Sequence, residues 1–416
     1  MSHTVLDSVA MAYQPVWNRR RLLAAVRLSV SPVHPGAVDA AHLMQLLGDD
    51  WPVAAPVLIL TLRSPELLHQ ALGCKPVPNT WLEVPASLFN QPESLALLSV
   101  ATRRGHQLLR HAALSDLRGE VIAPLDARSL LSLDAEEAFE ALQARPTEGQ
   151  PVPSARTPIL PGHLYQNVCS RSLADHCLDE AGAWGLLGWP DDDVLHAWRA
   201  RPMGCDAVVI AMIRQAIDND SSLDQLERFV RQDPVLCYRL LSYLNSAAFG
   251  GRHEVGSLRH ALMMLGFSAL DSWLGQQLAG SDSDSALHPV RYAQVMRSRL
   301  AQHLLESGSE EALRAEVYTT ALFAQLDRLL HQPLAALLGR LPLSGRVADA
   351  LVRHSGPYFP LLDIARAQGD VEHLHLLPGI CEQHEMSLEQ ANRALLRMLS
   401  TSRDHGLVPA KQPSQG

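Results

Sequence analysis

The sequence lacks paired cysteines, long apolar runs and an excess of positive charge. Its six cysteines include no CxxC pair, so neither a disulfide framework nor a zinc knuckle is expected, and buried free thiols are the default. No apolar run approaches the roughly 20 residues that are needed to span a bilayer. The first residues show no basic start followed by an apolar run, so we expect no signal peptide, no membrane partner and a cytoplasmic location.

The formal net charge of −9 argues against broad nucleic-acid binding, which usually leaves a basic footprint. Local basic groups remain at residues 19–21 and at Arg297 and Arg299, and we interpret both groups as solvated faces rather than phosphate sites. Hydrophobic residues make up 47% of the chain and charged residues 19%, a balance that is typical of globular proteins. The 416 residues are enough for two or three domains, each with its own core.

Short apolar runs alternate with helical patterns in the first half of the chain. Residues 57–62 and 81–84 predict strands that are buried on both faces, whereas residues 65–72 and 92–102 predict helices. Strands that alternate with helices indicate a parallel α/β sheet or barrel. Residues 146–161 carry five prolines and are therefore expected to form an irregular loop.

From about Trp198 onward every strong pattern is helical, and residues 233–270 carry the clearest one. Asp233 can cap a helix that holds Pro234 in its first turn, where a missing N–H costs nothing. Ser257 can cap a second helix. The apolar stripes of the two helices are formed by Leu236, Leu240, Leu241 and Leu244 and by Leu258, Ala261, Leu262 and Leu265.

Glycines and two polar residues are expected to shape the connection between these helices. Gly250 and Gly251 predict the end of the first helix, and Gly266 predicts the end of the second. Asn245 and Ser246 lie at the end of the first helix, where their side chains can hydrogen-bond the chain that turns away. These two residues are therefore expected to fix the orientation of the following loop rather than to react.

This pattern closely resembles the signature of the HDOD domain, an all-helical signalling module. That family carries a DP-x-L-x-x-x-LL-x-x-x-NSA-x-x-G run that is followed by an AI-x-x-LG helix. The matching positions here are Asp233, Pro234, Leu236, Leu240, Leu241, Asn245, Ser246, Ala247, Gly250, Ala261, Leu262, Leu265 and Gly266. Residues 317–351 also resemble HDOD domains that follow degenerate EAL domains, and Leu326 and Asp327 are among the matching positions.

The first half resembles the EAL domain, a TIM-barrel-like module that cleaves the bacterial second messenger cyclic di-GMP. Tyr13, Gln14 and Pro15 match the opening YQP-I of that family, and Trp189 and Pro190 match part of its closing strand. EAL domains precede HDOD domains in a known bacterial architecture. The domains that the two resemblances imply are a degenerate, truncated TIM-barrel-like EAL domain over residues 1–195, an all-helical HDOD domain over 196–403 and a disordered tail over 404–416.

Hydrolysis of a phosphodiester by this family requires divalent metals, which carboxylates and an amide at the strand ends would hold. At three of those positions this chain has residues without a side-chain oxygen, namely Ala86, Cys169 and Leu187. The EAL tripeptide itself falls on residues 25–27, which are Ala-Val-Arg, and Glu83 is the outer glutamate of its strand. The resemblance therefore implies no catalytic, metal-binding or cofactor-binding residue in the barrel half.

HDOD domains also resemble HD phosphohydrolases, which bind metal through histidines and an HD dipeptide. Here that dipeptide falls on Ala324 and Gln325, neither of which is a metal ligand of that family. His303 and His354 remain as isolated candidates, and we interpret them as ordinary surface or core histidines because two imidazoles without an aspartate make a poor hydrolytic site.

Cys169 also allows an interpretation as a nucleophile. A catalytic thiol needs a nearby base, and His163 and His176 flank Cys169 in the sequence. Proximity in sequence says little about geometry, so we favour a buried structural cysteine.

If a chain keeps both folds and loses both metal sites, its surfaces can still bind other molecules, but it has lost the residues that catalysis requires. The resemblances imply a catalytically inactive signalling adaptor that binds other regulatory proteins in cyclic di-GMP, motility or biofilm control, with a homodimer left open. One alternative is a receptor that holds a nucleotide at the barrel mouth without cleaving it, although a dinucleotide needs cationic or amide partners. The other alternative is a metal-dependent phosphohydrolase, which the missing ligands disfavour.

Overall fold

Eight strands close a barrel in the first half of the chain. The computed structural model describes residues 4–33, 38–117, 128–144, 157–246, 255–305 and 308–402. The first strand runs antiparallel to both of its neighbours, and the other neighbours pair in parallel. The strands are β1 (Val9–Trp17), β2 (Leu23–Pro32), β3 (Val57–Leu62), β4 (Thr80–Pro85), β5 (Gln107–Ala113), β6 (Ser129–Ser132), β7 (Leu164–Gln166) and β8 (Gly185–Leu187). The predicted α/β barrel is confirmed.

Helices connect the parallel strands of the barrel. Within the described residues they are α1 (Ala40–Asp50), α2 (Pro65–Gly73), α3 (Pro92–Arg103), α4 (Ala135–Gln143) and α5 (Arg171–Asp175), which a π-helical turn, His176–Glu180, continues. The two helices predicted from the sequence are α2 and α3, and each begins with a proline, whose missing N–H has no partner in a first helical turn. Ser64 caps α2 by accepting a hydrogen bond from the Leu67 amide at 3.2 Å.

Apolar residues from seven of the eight strands fill the middle of the barrel. The buried cluster consists of Val16, Ala25, Ile59, Leu109, Leu130, Leu164 and Leu187. Ala25 and Leu187 are two of the positions where the EAL resemblance implies a missing ligand, and here both contribute to the packing. A carboxylate at either position would lie among aliphatic side chains, where a charge without a partner is costly.

An arginine between two tryptophans closes the amino-terminal end of the barrel. The ring centroids of Trp81 and Trp184 are 4.9 Å apart, and the Arg128 guanidinium carbon lies 4.8 Å and 4.9 Å from them. Burial lowers the pKa of Arg128. The polar groups that could bind a ligand inside the barrel are therefore found toward the opposite, carboxyl-terminal end.

The second half of the chain is helical, as predicted. Its α-helices in the described residues are α6 (Asp191–His196), α7 (Ala207–Asp218), α8 (Leu223–Val230), α9 (Pro234–Leu244), α10 (Leu258–Leu278), α11 (Leu287–His303), α12 (Glu311–Phe323), α13 (Leu326–Leu330), α14 (Leu334–Leu338), α15 (Gly345–Ala348), α16 (Phe359–Gln368), α17 (Leu377–Gln383) and α18 (Leu388–Ser400). None of the helices in the described part of the chain is long and apolar enough to cross a bilayer.

The two motif helices, α9 and α10, begin as predicted. Asp233 accepts a hydrogen bond from the Val235 amide at 2.9 Å, and Ser257 accepts one from the His260 amide at 3.2 Å. The predicted apolar stripes are buried in full, with Leu236, Leu240, Leu241, Leu244, Leu258, Ala261, Leu262 and Leu265 all in the core. These two helices therefore owe their position to packing, and the caps fix where each one starts.

The ends of these helices differ from the prediction. Helix α9 stops at Leu244, whereas Gly250 and Gly251 lie outside the described residues. Gly266, with φ 68° and ψ 166°, interrupts the helix as predicted, but a second helical segment follows at once and completes α10. The segment resumes because buried residues such as Trp273 hold the next turns against the same core.

A buried ion cluster joins α11 to the start of the helical half. The Arg291 guanidinium lies 3.4 Å from Asp282, 3.6 Å from Asp206 and 4.0 Å from Asp233, and it donates a 2.8 Å hydrogen bond to the Gly204 carbonyl. Burial raises the pKa of Asp233, an effect that the Arg291 charge and the hydrogen bonds from backbone amides oppose. Asp233 is thus both the cap of α9 and a member of this cluster, which gives the first motif residue a structural role.

The helical half packs directly on the barrel. Helices α16 and α18 cover β1, which a tight turn joins to β2 without a helix of its own. Asn392 on α18 donates hydrogen bonds to the carbonyls of Leu6 and Val9 at 2.8 Å and 2.7 Å, and the Trp17 ring contacts the Tyr292 ring edge-on at 6.1 Å. One continuous core contains residues of both halves. The domain boundary between residues 195 and 196 stays a prediction.

The interpretation of residues 19–21 as a solvated face is wrong for Arg21, which is buried. Its guanidinium donates to Asp179 at 2.6 Å and 2.7 Å and to Asp175 at 2.6 Å. The hydrogen bond with Asp179 raises the pKa of Arg21. Arg21 therefore ties the turn between β1 and β2 to α5 and the π-helical turn that follows it, because Asp175 and Asp179 both bind its guanidinium.

Candidate functional site

Polar side chains form a connected ring inside the barrel, toward the carboxyl-terminal ends of the parallel strands. We call this set the barrel ring, and its members, one from each strand from β1 to β7, are Gln14, Arg27, Thr61, Glu83, His111, Ser132 and Gln166. The staggered register of the strands brings these side chains together. Active sites of parallel barrels are built at this end, so the barrel ring is the first candidate site.

Glu83 is the centre of the barrel ring. Arg27 donates to its Oε1 at 2.6 Å, Thr61 donates to its Oε2 at 2.6 Å, and Nδ1 of His111 lies 3.0 Å from Oε1. Burial alone would raise the pKa of Glu83, but the hydrogen bond from His111, the charge of Arg27 and the Thr61 hydroxyl outweigh it and hold the pKa at about 2. Glu83 is therefore ionised at neutral pH, and both of its oxygens are engaged.

Ser132 and Gln166 continue the barrel ring beyond His111. Nε2 of Gln166 donates to the Ser132 hydroxyl at 2.6 Å and lies 2.8 Å from Nε2 of His111. His111 thus faces Glu83 with Nδ1 and Gln166 with Nε2. On the other side, Nε of Arg27 donates to the Thr61 hydroxyl at 3.0 Å. The members of the barrel ring thus bond to one another.

The donors of the barrel ring do not fit a divalent metal. Magnesium or manganese in a hydrolytic site needs several oxygen ligands and an open position. The carboxylate of Glu83 already binds the guanidinium of Arg27, and a metal ion would have to approach that cation. Within the residues that the structure describes, no group of three or more His, Cys, Asp or Glu side chains could hold a metal ion.

The three positions that the EAL resemblance singles out lie outside the barrel ring. Ala86 begins a short 3₁₀ turn after β4 and packs against a second cluster that includes Tyr165. Leu187 belongs to the apolar cluster in the middle of the barrel. Cys169 lies in the turn between β7 and α5 and is exposed there. The interpretation of Cys169 as a buried structural cysteine is therefore wrong. The default of buried thiols holds for Cys177, Cys205, Cys237 and Cys381, whereas Cys74 is half-buried.

Neither histidine that flanks Cys169 in the sequence is directed at it. His176 contacts Glu180 through Nδ1 at 2.7 Å and the Thr157 hydroxyl through Nε2 at 2.8 Å. His163 accepts a hydrogen bond from the Ser129 amide at Nδ1. Both imidazoles thus have other partners, and none of their described contacts joins Cys169, which speaks against the nucleophile interpretation.

The HD-dipeptide position lies beside a small cavity of about 210 Å³. Gln325 and His354 line it together with Asp363, Arg297 and Arg366. Asp363 is paired with Arg366 at 2.7 Å, and His384 binds its other oxygen at 2.9 Å. Because two arginines face the cavity and its carboxylate already has a cationic partner, these donors do not fit a metal either. His303, the other isolated candidate, ends α11 and lines a different cavity.

Asn245 connects the two motif helices. Its Nδ2 donates to the Leu241 carbonyl at 2.8 Å and to the Val255 carbonyl at 2.9 Å, and its Oδ1 accepts from the Val255 amide at 2.9 Å. Ser246 turns back to donate to the Tyr243 carbonyl at 2.7 Å. Asn245 therefore joins the two ends of the loop, as expected for a residue that fixes the loop rather than reacts.

The remaining motif residues are part of the fold. Pro234 is the first residue of α9, and Leu326 and Asp327 begin α13. Leu326 is buried, whereas Asp327 belongs to the acidic first turn, where a negative charge is favourable. These positions therefore mark structural requirements of the helical half.

Sequence reasoning missed most of the barrel ring. Only Gln14 and Glu83 carried a family match, whereas Arg27, Thr61 and His111 have no motif. A usable signal was the single polar residue that interrupts an apolar strand near its carboxyl end, as Thr61 does in Val57–Leu62. The same signal occurs in other strands. It does not show which of these polar residues contact each other until the register between the strands is known.

A family model described as "HDOD domain" matches residues 205–334. The match starts just before Asp206, which caps α7, and ends at the first residue of α14. It includes both motif helices and the HD-dipeptide position. The helices α16 and α18 that cover β1 follow the matched region.

Two curated bacterial proteins are similar in sequence to parts of the chain. The "Uncharacterized protein YuxH" of Bacillus subtilis is 23% identical over 158 residues, which are 37% of this chain and 38% of that protein. The "Cyclic di-GMP phosphodiesterase CdgJ" of Vibrio cholerae is 25% identical over 203 residues, 47% of this chain and 45% of that protein. The matches therefore span less than half the length of either relative.

Two solved structures resemble parts of the chain. The MmoQ response regulator of Methylococcus capsulatus has a TM-score of 0.36 and 18% identity, and the match covers 47% of this chain and 98% of that one. The FimX EAL domain of Xanthomonas citri, solved with cyclic di-GMP, has a TM-score of 0.29 and 16% identity over 44% of this chain and 86% of that one. Both similarities are low.

Proposed function

Because this chain carries an HDOD domain behind an EAL-like barrel, we propose that it is a catalytically inactive signalling adaptor. In this proposal the barrel no longer hydrolyses cyclic di-GMP, and the helical half binds another regulatory protein. Both modules belong to bacterial signalling, so the pathway we propose is cyclic di-GMP, motility or biofilm control.

The observation that carries the proposal is the pairing of Arg27 with Glu83 inside the barrel. A phosphodiesterase would place metal ions at this end of the barrel to activate water and to neutralise phosphate oxygens. Here an internal guanidinium neutralises the carboxylate, and Thr61 and His111 take up the remaining hydrogen bonds. The barrel mouth is therefore built to be stable without metal rather than to bind it.

The binding surface that we propose lies on the motif helices. Met263 and Phe267 on α10 and Tyr243 near the end of α9 are exposed large apolar side chains. Exposed apolar side chains on helices that otherwise follow a packing pattern are typical of protein-binding surfaces. In this proposal the barrel, which shares one core with the helical half, holds these helices in place.

The alternative that deserves a direct comparison is an enzyme, because the Vibrio relative is named as a cyclic di-GMP phosphodiesterase. A third candidate is a receptor that binds cyclic di-GMP without cleaving it. Arg27 and Gln166 carry the cation and the amide that phosphate recognition needs, but both bind other members of the barrel ring.

Titration of the full-length protein with labelled cyclic di-GMP, with and without Mg²⁺, distinguishes the three candidates. The adaptor predicts no saturable binding in either condition. Binding without product identifies a receptor, and product formation identifies an enzyme. A parallel capture experiment with wild type and Met263→Asp tests the surface, since the charged substitution at this exposed position should reduce partner recovery without unfolding the protein.

A further inference from the structure

A cavity of about 330 Å³ lies between α8, α11, α12 and the end of α18, far along the chain from the barrel. We call it the arginine cavity, and it is lined by Arg228, Arg231, Gln232, Val295, Arg299, Gln302, His303, Tyr318 and Thr401. It differs from both sites considered above, because neither the barrel ring nor the HD-dipeptide position contributes a residue. Its volume is at the lower end of the range that is usual for small-molecule sites.

The lining of the arginine cavity is one-sided in charge. It holds the guanidinium groups of Arg228, Arg231 and Arg299, and none of the described residues that line it is a carboxylate. Glu227, which is not among the lining residues, pairs with Arg231. The described side chains thus leave a surplus of about two positive charges in a protein whose formal net charge is −9.

Two arginine nitrogens at this cavity are buried and have no hydrogen-bond partner among the described residues. Arg299 is only 5% exposed, and its Nη2 donates to the Thr401 hydroxyl at 2.6 Å. Its guanidinium also lies beside the Tyr292 hydroxyl, where it opposes the rise that burial causes in the pKa of Tyr292, whereas its Nη1 is one of the two nitrogens without a partner. Nε of Arg231 is in the same state, while its guanidinium packs over the Tyr318 ring at 5.2 Å. A charged donor that is buried and unsatisfied is unfavourable, so such groups normally have an acceptor.

Helix ends alone do not account for these arginines. The C-terminal ends of α8 and α18 carry partial negative charge, which favours nearby cations. However, an arginine that serves a helix end donates to its last carbonyls, and Nη1 of Arg299 donates to none. The interpretation of Arg299 as a solvated face is also wrong, because this side chain is buried. A ligand that brings its own acceptors can bind the guanidinium groups that line the cavity.

We propose that the arginine cavity binds the phosphate group of a small phosphorylated ligand. A phosphate presents several acceptor oxygens and matches guanidinium forks in charge and geometry. Gln232, Gln302 and Thr401 add polar groups, and the ring of Tyr318 holds Arg231 in place. A second cavity of about 760 Å³ borders this one, since Arg228, Arg231 and Gln302 line both. Its other lining residues include Asp224, Glu227 and Glu311, so the phosphate group is placed in the arginine cavity.

Calorimetric titration of the full-length protein tests the proposal. The probe is inorganic phosphate, added at constant ionic strength and compared with chloride. The expected result is saturable phosphate binding that adenosine monophosphate displaces and that adenosine, which has no phosphate, does not. Displacement by adenosine as effective as that by the monophosphate would overturn the proposal, because recognition would then rest on the base.

Two variants and a control locate the binding. Arg299→Gln removes the buried donor, and Arg228→Gln removes an exposed one, so the second variant keeps the test valid if the first does not fold. Each should weaken phosphate binding by about tenfold or more. Arg353→Gln, at a residue whose side chain is 74% exposed and pairs with Asp349, should leave phosphate affinity unchanged. Absence of phosphate binding by the wild type, or equal binding by Arg228→Gln and the control, would contradict the proposal.

Discussion

At the scale of single residues, Asn245 holds the two ends of the motif loop through three hydrogen bonds. Asn245→Ala should lower the free energy of unfolding by about 1–3 kcal/mol, because the amide and the carbonyl of the buried Val255 lose their side-chain partner. Urea melts provide the measurement. The neighbouring Ser246→Ala, which removes one exposed hydrogen bond, should cost less than about 0.5 kcal/mol. Equal losses for the two variants would show that Asn245 does not connect the loop ends.

Glu83 makes the barrel sensitive to acid. Its pKa of about 2 in the folded protein lies below the value of about 4.3 in an unfolded chain, so ionised Glu83 stabilises the fold above that range. This stabilisation, roughly 3 kcal/mol, is lost as the pH falls from about 5 toward 2. Comparing urea melts of wild type and Glu83→Gln across this window isolates the effect. The variant should be less stable at pH 5 but lose less stability on acidification, and parallel curves would contradict the pairing.

At the scale of elements, the interruption of α10 depends on one glycine. Gly266 has φ 68°, where a side chain strains the backbone, although a Cβ there would meet no atom within 4 Å. Gly266→Ala should therefore destabilise the protein by about 1–3 kcal/mol through the backbone alone. Gly275→Ala in the same helix, also with no atom within 4 Å, should stabilise it by up to about 1 kcal/mol. Chemical unfolding measures the change in the free energy of unfolding for both variants. A change of the same sign in both would contradict the conclusion that α10 is interrupted at Gly266.

At the scale of the whole molecule, Asn392 links the last helix to the first strand. It is fully buried and donates to the Leu6 and Val9 carbonyls, so Asn392→Ala should cost about 1–3 kcal/mol. Because the core is continuous, hydrogen exchange should accelerate in β1 as well as in α18. Arg393→Ala, at the neighbouring and more exposed position, should change little. Accelerated exchange in α18 alone would mean that the two halves unfold separately.

Much of the fold could be predicted from the sequence, because its signals are local. Apolar runs such as Val57–Leu62 predicted buried strands. Asp233 and Ser257 predicted where two helices begin, because each accepts a hydrogen bond from an amide within three residues. The motif positions identified the helical half, and the family model supports it. Signals of this kind act within one element and do not depend on how elements meet.

The candidate sites could not be predicted in the same way, because they depend on tertiary contacts. Arg27 and His111 meet Glu83 only through the stagger of three different strands. Arg299 looks like a surface residue in the sequence, and its burial follows from the packing of α11 against α18. Cys169 is exposed for the opposite reason, since it lies in a turn and belongs to none of the buried clusters. Burial of a polar residue is set by its neighbours in space.

The most direct test of the central claim is the release of product from cyclic di-GMP by the full-length protein, in the presence of Mg²⁺ and separately of Mn²⁺. Wild type and Glu83→Gln are measured together, with an active EAL phosphodiesterase as the positive control. The pairing of Arg27 with Glu83 predicts that both proteins give no product above the background without protein. Turnover by the wild type that Glu83→Gln abolishes would show that the barrel ring is an active site, and the chain would be an enzyme rather than an adaptor.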